Sequence, residues 1–152
     1  MTIVYRILGF IINSIAILLA VSIVVSIPMI LSSPFPLISA FIIVSIILYS
    51  FFSNKFHKQV LQKREIVKKS LKDWIRVNGI VSIIFSVIIF IDVAFLMNNP
   101  TLYLDAIEGY GVEMRVENIN AVFIAILIYG AALLTHVLWT FALMKKNEEF
   151  FQ

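Results

Sequence analysis

The stretch NKFHKQVLQKREIVKKSLKDWIR, residues 54–76, decides how this chain is arranged. It gathers Lys55, Lys58, Lys63, Arg64, Lys68, Lys69, Lys72 and Arg76 between two long apolar runs. Cationic side chains resist transfer across a bilayer, so short loops rich in Lys and Arg stay cytoplasmic, and every other segment is placed relative to this one.

A bilayer is required by the composition. Of the 152 residues 61% are hydrophobic and only 14% charged, with a mean hydropathy of +1.02. Soluble domains run near half apolar and a quarter charged, so the excess apolar surface must be solvated by lipid. Eleven of the twelve Lys and Arg fall at Arg6, in residues 55–76 and at Lys145–Lys146; only Arg115 lies elsewhere. The chain has no cysteine, which excludes disulfides, thiolate metal sites and an acylated-Cys anchor.

The expected fold is an all-α membrane protein, a bundle of four transmembrane helices with a basic amphipathic cytoplasmic connecting segment, forming a single domain over 1–152. Ile7 to Leu31 is 25 residues without a charge, beyond the ~20 needed to cross a hydrocarbon core. Arg6 and the Ala20-Val21-Ser22 stretch resemble a signal peptide, but the apolar run continues nine residues past that point, too far for an h-region. Ser32-Ser33-Pro34-Phe35-Pro36 is a turn, because proline lacks an N–H and disfavours helix before it. The remaining spans are expected at 37–53, 77–97 and 119–144. An external loop over 98–118 holds Asp105, Glu108, Glu113 and Glu117 against Arg115, with a short helix over 101–107 and a turn at Gly109-Tyr110-Gly111. Four spans put both termini in the cytoplasm of a cell inner membrane, and the Ile-rich, Cys-free composition points to a bacterium.

No Gly or Pro interrupts residues 54–76, so this segment is expected to be helical. Phe56, Val60, Val67, Leu71 and Trp74 then share one face, with most of the Lys and Arg turned away. One reading is a helix lying on anionic headgroups; the competing one is a solvated loop that only sets topology. Base-reading features are missing, so nucleic acid is not an expected partner.

Polar residues inside the spans sort into two layers at ~1.5 Å per residue. Asn13, Ser14, Tyr49, Ser50, Ser53, Asn78, Ser82 and His136 lie toward the cytoplasm; Asp92, Ser22, Ser26, Ser39 and Tyr129 lie toward the outside. Asn78, Ser82, Ser86 and Asp92 share a face of the third span. Ala125, Tyr129, Ala132, His136 and Thr140 form a stripe on the fourth. These faces are expected to meet, since lipid offers no hydrogen-bond partner and small residues, such as Gly9 and Ala16, let helices approach.

Asp92 stands apart, because an ionised carboxylate within a span is costly unless paired or wetted. It is read either as a proton- or cation-binding group with Tyr129 and Ser39 as partners, or as a protonated acid satisfied by neighbouring hydroxyls. His136 lies too far along the membrane normal to pair with it. It is expected to be a neutral interior histidine, and no companion ligands at its depth suggest a metal or haem. No nucleophile–base pair or phosphate loop is apparent, and no cofactor or catalytic residue is assigned. The expectation is therefore a non-enzymatic accessory or interaction subunit of the membrane, in contact with anionic lipid headgroups and with further copies or a membrane-protein partner. The rival is a small oligomeric proton- or cation-coupled transporter or channel subunit using Asp92, and a membrane enzyme acting on lipid or quinone stands third.

Overall fold

The computed structural model describes residues 3–30, 34–102, 104 and 116–152. Four helices dominate it: α1 (Ile3–Ile30), α2 (Pro34–Phe56), α3 (Lys69–Asn98) and α4 (Val116–Lys146). Each is long and apolar enough to cross a membrane, and the chain is an all-α, multi-pass membrane bundle. Pro34 opens α2, where a missing N–H costs nothing because the first helical amides have no intrahelical partner. α3 stops because Asn98 and Asn99 turn their amides back on the carbonyls of Ala94 (2.7 Å) and Phe95 (3.0 Å), and Pro100 cannot continue the ladder. Residues 100–102 are helical. Of the rest of the helix expected to 107, Leu104 is helical, and residues 103 and 105–107 lie outside the described residues, as does the Gly109–Gly111 turn.

α1 packs on α2, α2 on α3 and α3 on α4, and a narrower contact of α1 with α4 closes the ring. That closure sits at the end carrying the basic segment, here termed the basic end. Its core joins Ile12, Ile46, Tyr49, Phe56, Val60, Ile75, Leu133 and Val137 from all four helices and the connecting segment. A second core of Ile89, Val93, Ile119 and Phe123 is drawn from α3 and α4 alone. Among residues whose burial is described, α1 has none buried beyond Ala16 and α2 none before Ser45. The two hairpins are therefore locked together at the basic end and stand apart at the other.

The basic segment is not one helix. α2 runs into a π-helical turn, His57–Gln62, and the chain then leaves helix at Arg64, whose φ of 58° is left-handed. A non-glycine residue there costs ~1–2 kcal/mol. The tail of the chain holds it in place: the Arg64 guanidinium donates to Asn147 Oδ1 at 2.9 Å and lies 5.7 Å over the Phe150 ring. After a short 3₁₀ turn, Glu148–Phe150, the backbone pairs parallel to the connecting segment. Val67 N–H donates to Phe150 O (2.8 Å), Gln152 N–H to Val67 O (3.0 Å) and Lys69 N–H to Gln152 O (2.9 Å). Lys72 Nζ meets Glu148 Oε1 at 2.5 Å, and hydrogen bonding to that ammonium holds the glutamate below the usual carboxylate range.

This folding-back corrects the expectation for the apolar face. Phe56, Val60, Val67 and Leu71 are buried within the protein, with the Phe151 ring stacked on Phe56 at 5.8 Å, and only Trp74 is half exposed, at 50%. The four side chains that were to meet headgroups join the protein's own core, against which Phe150 and Phe151 of the tail also pack. An amphipathic pattern does not say whether its partner is lipid or protein, and here the burial is internal.

A candidate polar site at the basic end

Where α1 crosses α4, four polar side chains from three helices meet in an otherwise apolar interior. Tyr5 comes from α1, Tyr49 from α2, and His136 and Thr140 from successive turns of α4, where the i, i+4 spacing puts both on one face. His136 is 2% exposed and Tyr49 and Thr140 are fully buried. Tyr5 Oη lies 3.0 Å from Thr140 Oγ1, Tyr49 Oη lies 3.0 Å from the same oxygen and 2.8 Å from His136 Nδ1, and Thr140 Oγ1 is 2.7 Å from the backbone carbonyl of His136. The Tyr5 ring also stacks on the imidazole at 4.6 Å with a 13° interplanar angle.

Counting protons assigns every one of these bonds. A carbonyl only accepts, so the Thr140 hydroxyl proton goes to His136 O. Thr140 Oγ1 can then only accept, so the Tyr5 and Tyr49 protons both go to it, one to each lone pair. The Tyr49–His136 contact is left needing a proton, and the imidazole must supply it from Nδ1. Four contacts thus use four protons, and the histidine is held as the Nδ1–H tautomer with a bare lone pair on Nε2.

That lone pair has no hydrogen-bond partner among the described residues. Gly9 lies opposite it on α1: a Cβ built there would sit 3.2 Å from Nε2, so glycine lets α1 approach without covering the nitrogen. Beside it is a cavity of about 340 Å³ lined by Tyr5, Arg6, Gly9, Phe10, Asn13, Ser53, Asn54, His57, Lys58, Gln62 and His136. Tyr5, Ser53 and His136 form a buried floor, and Arg6, Phe10, Lys58 and Gln62 an exposed rim. The π-helical turn supplies His57, Lys58 and Gln62; its i, i+5 spacing stacks Gln62 on His57, 3.1 Å between Nε2 atoms, and leaves His57 Nδ1 buried without a partner among the described residues. The lining carries two permanent cations, two imidazoles and no carboxylate.

Comparison with protein-family models, with curated proteins and with solved structures returned no match. What the site does must be read from its own geometry.

The residues singled out from sequence fall in different places. His136 lies at the centre of the cluster. Tyr129 sits two turns along α4, ~10 Å away along the axis, with its hydroxyl buried and unpaired among the described residues. Asp92 and Ser39 are exposed on the bundle surface, and neither bonds to Tyr129 among the described residues, so the expected Asp92–Tyr129–Ser39 group is not assembled within one chain. Asn78, Ser82 and Ser86 do turn inward on α3, but each hydroxyl or amide donates to the carbonyl four residues earlier rather than across helices. The described residues hold no group of three His, Asp or Glu placed to share a metal ion. Sequence reasoning missed Tyr5 altogether and credited Arg6 and Lys58 to topology. The available signal was His136 and Thr140 at i, i+4, a polar pair on an apolar helix that needs partners from elsewhere.

Proposed function

We propose that this is a protein of the cell inner membrane with both termini and residues 54–76 in the cytoplasm, and that it serves as a non-enzymatic binding or accessory subunit. Its working part is the cavity between α1, α2 and α4, which takes a small anionic ligand from the cytoplasmic side. The carrying observation is that the cavity has two cations, Arg6 and Lys58, at its rim, a fixed acceptor, His136 Nε2, at its floor, and no carboxylate in its lining. Two cations without an acid attract an anion, and a cluster whose hydroxyl protons are all committed to one another is built to hold shape rather than to transfer protons. Orientation is tested by cysteines at Gln62 and Glu108, which label from opposite faces of sealed vesicles; labelling from one face overturns it. Binding is tested by the thermal stability of the detergent-purified protein in a panel of small anions. A rise that Arg6→Gln and Lys58→Gln abolish supports the reading, and no rise with any anion overturns it.

A second reading, an oligomeric proton- or cation-coupled transporter, draws on one observation: Asp92 is exposed on α3 with no partner among the described residues. A carboxylate on a lipid-facing surface is costly, and a further copy or a partner protein would relieve it. This reading fails if reconstituted Asp92→Asn protein moves protons or cations as the parent does, or if neither moves any.

A further inference from the structure

We infer that the anion held at this site is a lipid headgroup that carries both a phosphate and a free hydroxyl, of the phosphoglycerol kind; the inference rests on the cavity being a binding site at all. Three features of the wall set the chemistry. Arg6 and Lys58 at the rim provide a guanidinium and an ammonium, which suit a phosphate. His136 Nε2 provides an acceptor and, while Nδ1 keeps its proton on Tyr49, nothing else. An acceptor on the floor of a cationic cavity is wasted on a bare phosphodiester, which has no proton to give. It is satisfied by a ligand with a hydroxyl beyond the phosphate.

The third feature is the way out. Arg6 and Phe10 are one turn apart on the outward face of α1, both line the cavity, and Phe10 is 74% exposed. Residues from Ile7 onward belong to the apolar part of the span, so a ligand with its phosphate on Arg6 has its next atoms against Phe10 and the hydrocarbon. This polar floor, cationic rim and apolar exit match an amphiphile with its head in the cavity and its chains in the bilayer. The volume of about 340 Å³ lies at the lower end for small-ligand pockets, enough for a head without chains.

The experiment uses the full chain in nanodiscs of phosphatidylcholine doped in turn with phosphatidylglycerol, which has phosphate and hydroxyl, or phosphatidylmethanol, which has phosphate alone. A third arm adds soluble glycerol 3-phosphate to undoped discs. Retained lipid is read by native mass spectrometry and the His136 ring nitrogens by ¹⁵N NMR. Phosphatidylglycerol should be retained over phosphatidylcholine by about twenty-five-fold, two cations at about fivefold each, and should shift the Nε2 resonance. Phosphatidylmethanol should be retained less than phosphatidylglycerol and leave Nε2 unshifted. Arg6→Gln with Lys58→Gln should abolish the preference for anionic lipid, and Arg6→Lys should restore part of it. Gly9→Ala, whose methyl would sit 3.2 Å from Nε2 and which removes no bonding group of the cluster, should equalise the two anionic lipids without removing their advantage over phosphatidylcholine. Equal retention of phosphatidylcholine and phosphatidylglycerol overturns the inference. So does equal retention of both anionic lipids by the parent protein. If only glycerol 3-phosphate shifts Nε2, the lipid assignment falls and the binding-site reading stands; if nothing shifts it, the hydroxyl-bearing headgroup falls, and the binding-site reading falls with it only where no anion is retained or raises the thermal stability.

Discussion

Thr140→Val should flip the tautomer of His136. The substitution keeps shape and removes only the hydroxyl, which accepts from Tyr5 and Tyr49 and donates to the His136 carbonyl. Tyr49 then has a free proton, and of its two remaining polar neighbours, Ser53 and His136, it is His136 Nδ1 that lies in hydrogen-bond contact, at 2.8 Å. Donating to it requires Nδ1 to be bare, so the imidazole proton moves to Nε2 and the cavity floor changes from acceptor to donor. Tyr5, almost fully buried and deprived of its one hydroxyl partner, is left with an unsatisfied O–H at a cost of ~1–3 kcal/mol. Interhelical hydrogen bonds measured in membranes average nearer 0.6 kcal/mol, and the added methyl offsets some of the loss, so a net destabilisation of about 1 kcal/mol is expected. Reversible unfolding in mixed micelles reads the stability, and ¹⁵N shifts of selectively labelled histidine read the tautomer, since protonated and bare ring nitrogens are well separated. If the parent protein already carries its proton on Nε2, or if Thr140→Val leaves it on Nδ1, the proton count is wrong and the argument for the acceptor goes with it.

Gly79→Ala should destabilise the α3–α4 contact by ~1–3 kcal/mol despite the better helix propensity of alanine, because the new Cβ would sit 2.7 Å from the Phe141 ring; Phe141→Leu should recover most of the loss in the double variant, read by the same unfolding assay. Glu148 is held below its ordinary pKa by Lys72, so its contribution to tail docking is complete above the unfolded carboxylate range and is lost as pH falls through the depressed folded value. Protection of the Val67, Lys69 and Gln152 amides, taken relative to the intrinsic exchange rate at each pH, should fall on that acid side, and Glu148→Gln should show lower protection at neutral pH with no further loss on acidification. Arg64→Gly should relieve the left-handed backbone while losing the bond to Asn147, so it should be less harmful than Arg64→Ala, which loses the bond and keeps the strain; the reverse order in unfolding would refute it. Asp92→Leu should stabilise an isolated chain, since an exposed carboxylate in lipid gives way to an apolar group, whereas a loss of stability would reveal a partner for Asp92 outside the chain.

Reading the sequence recovers the bundle because its determinants are local: uninterrupted apolar length, prolines at 34, 36 and 100, and the one-sided placement of Lys and Arg. The site was only half visible, because it depends on which helices touch. His136 and Thr140 stand out on α4, but nothing in residues 1–6 marks Tyr5 as their partner, since it precedes the apolar run and reads as a flank. The connecting segment shows the opposite failure. Its face of Phe56, Val60, Val67 and Leu71 was seen correctly as apolar, yet it is buried in the bundle's core and partly against a six-residue tail of mixed polarity, Asn147 to Gln152, whose pairing is made by backbone groups that carry no sequence signature. Asp92 exposes a third limit. A wheel that places it with Asn78, Ser82 and Ser86 within a wide arc does not say where the arc leaves the interior, and the structure puts that edge between Val93 and Asp92.

The π-helical turn at His57–Gln62 has a genetic consequence. A π turn holds one residue more than the α turn it replaces, so a single-codon insertion into an ordinary helix is the simplest event that makes one. Removing any one residue between His57 and Gln62 would let α2 run on as regular helix and would rotate everything beyond the cut by ~100°. Lys58 and Gln62 would then no longer face the cavity together, and Arg64 would miss Asn147. These six positions should therefore tolerate conservative substitution better than deletion, and a scan of single-codon deletions along residues 54–76 should show a sharp loss there.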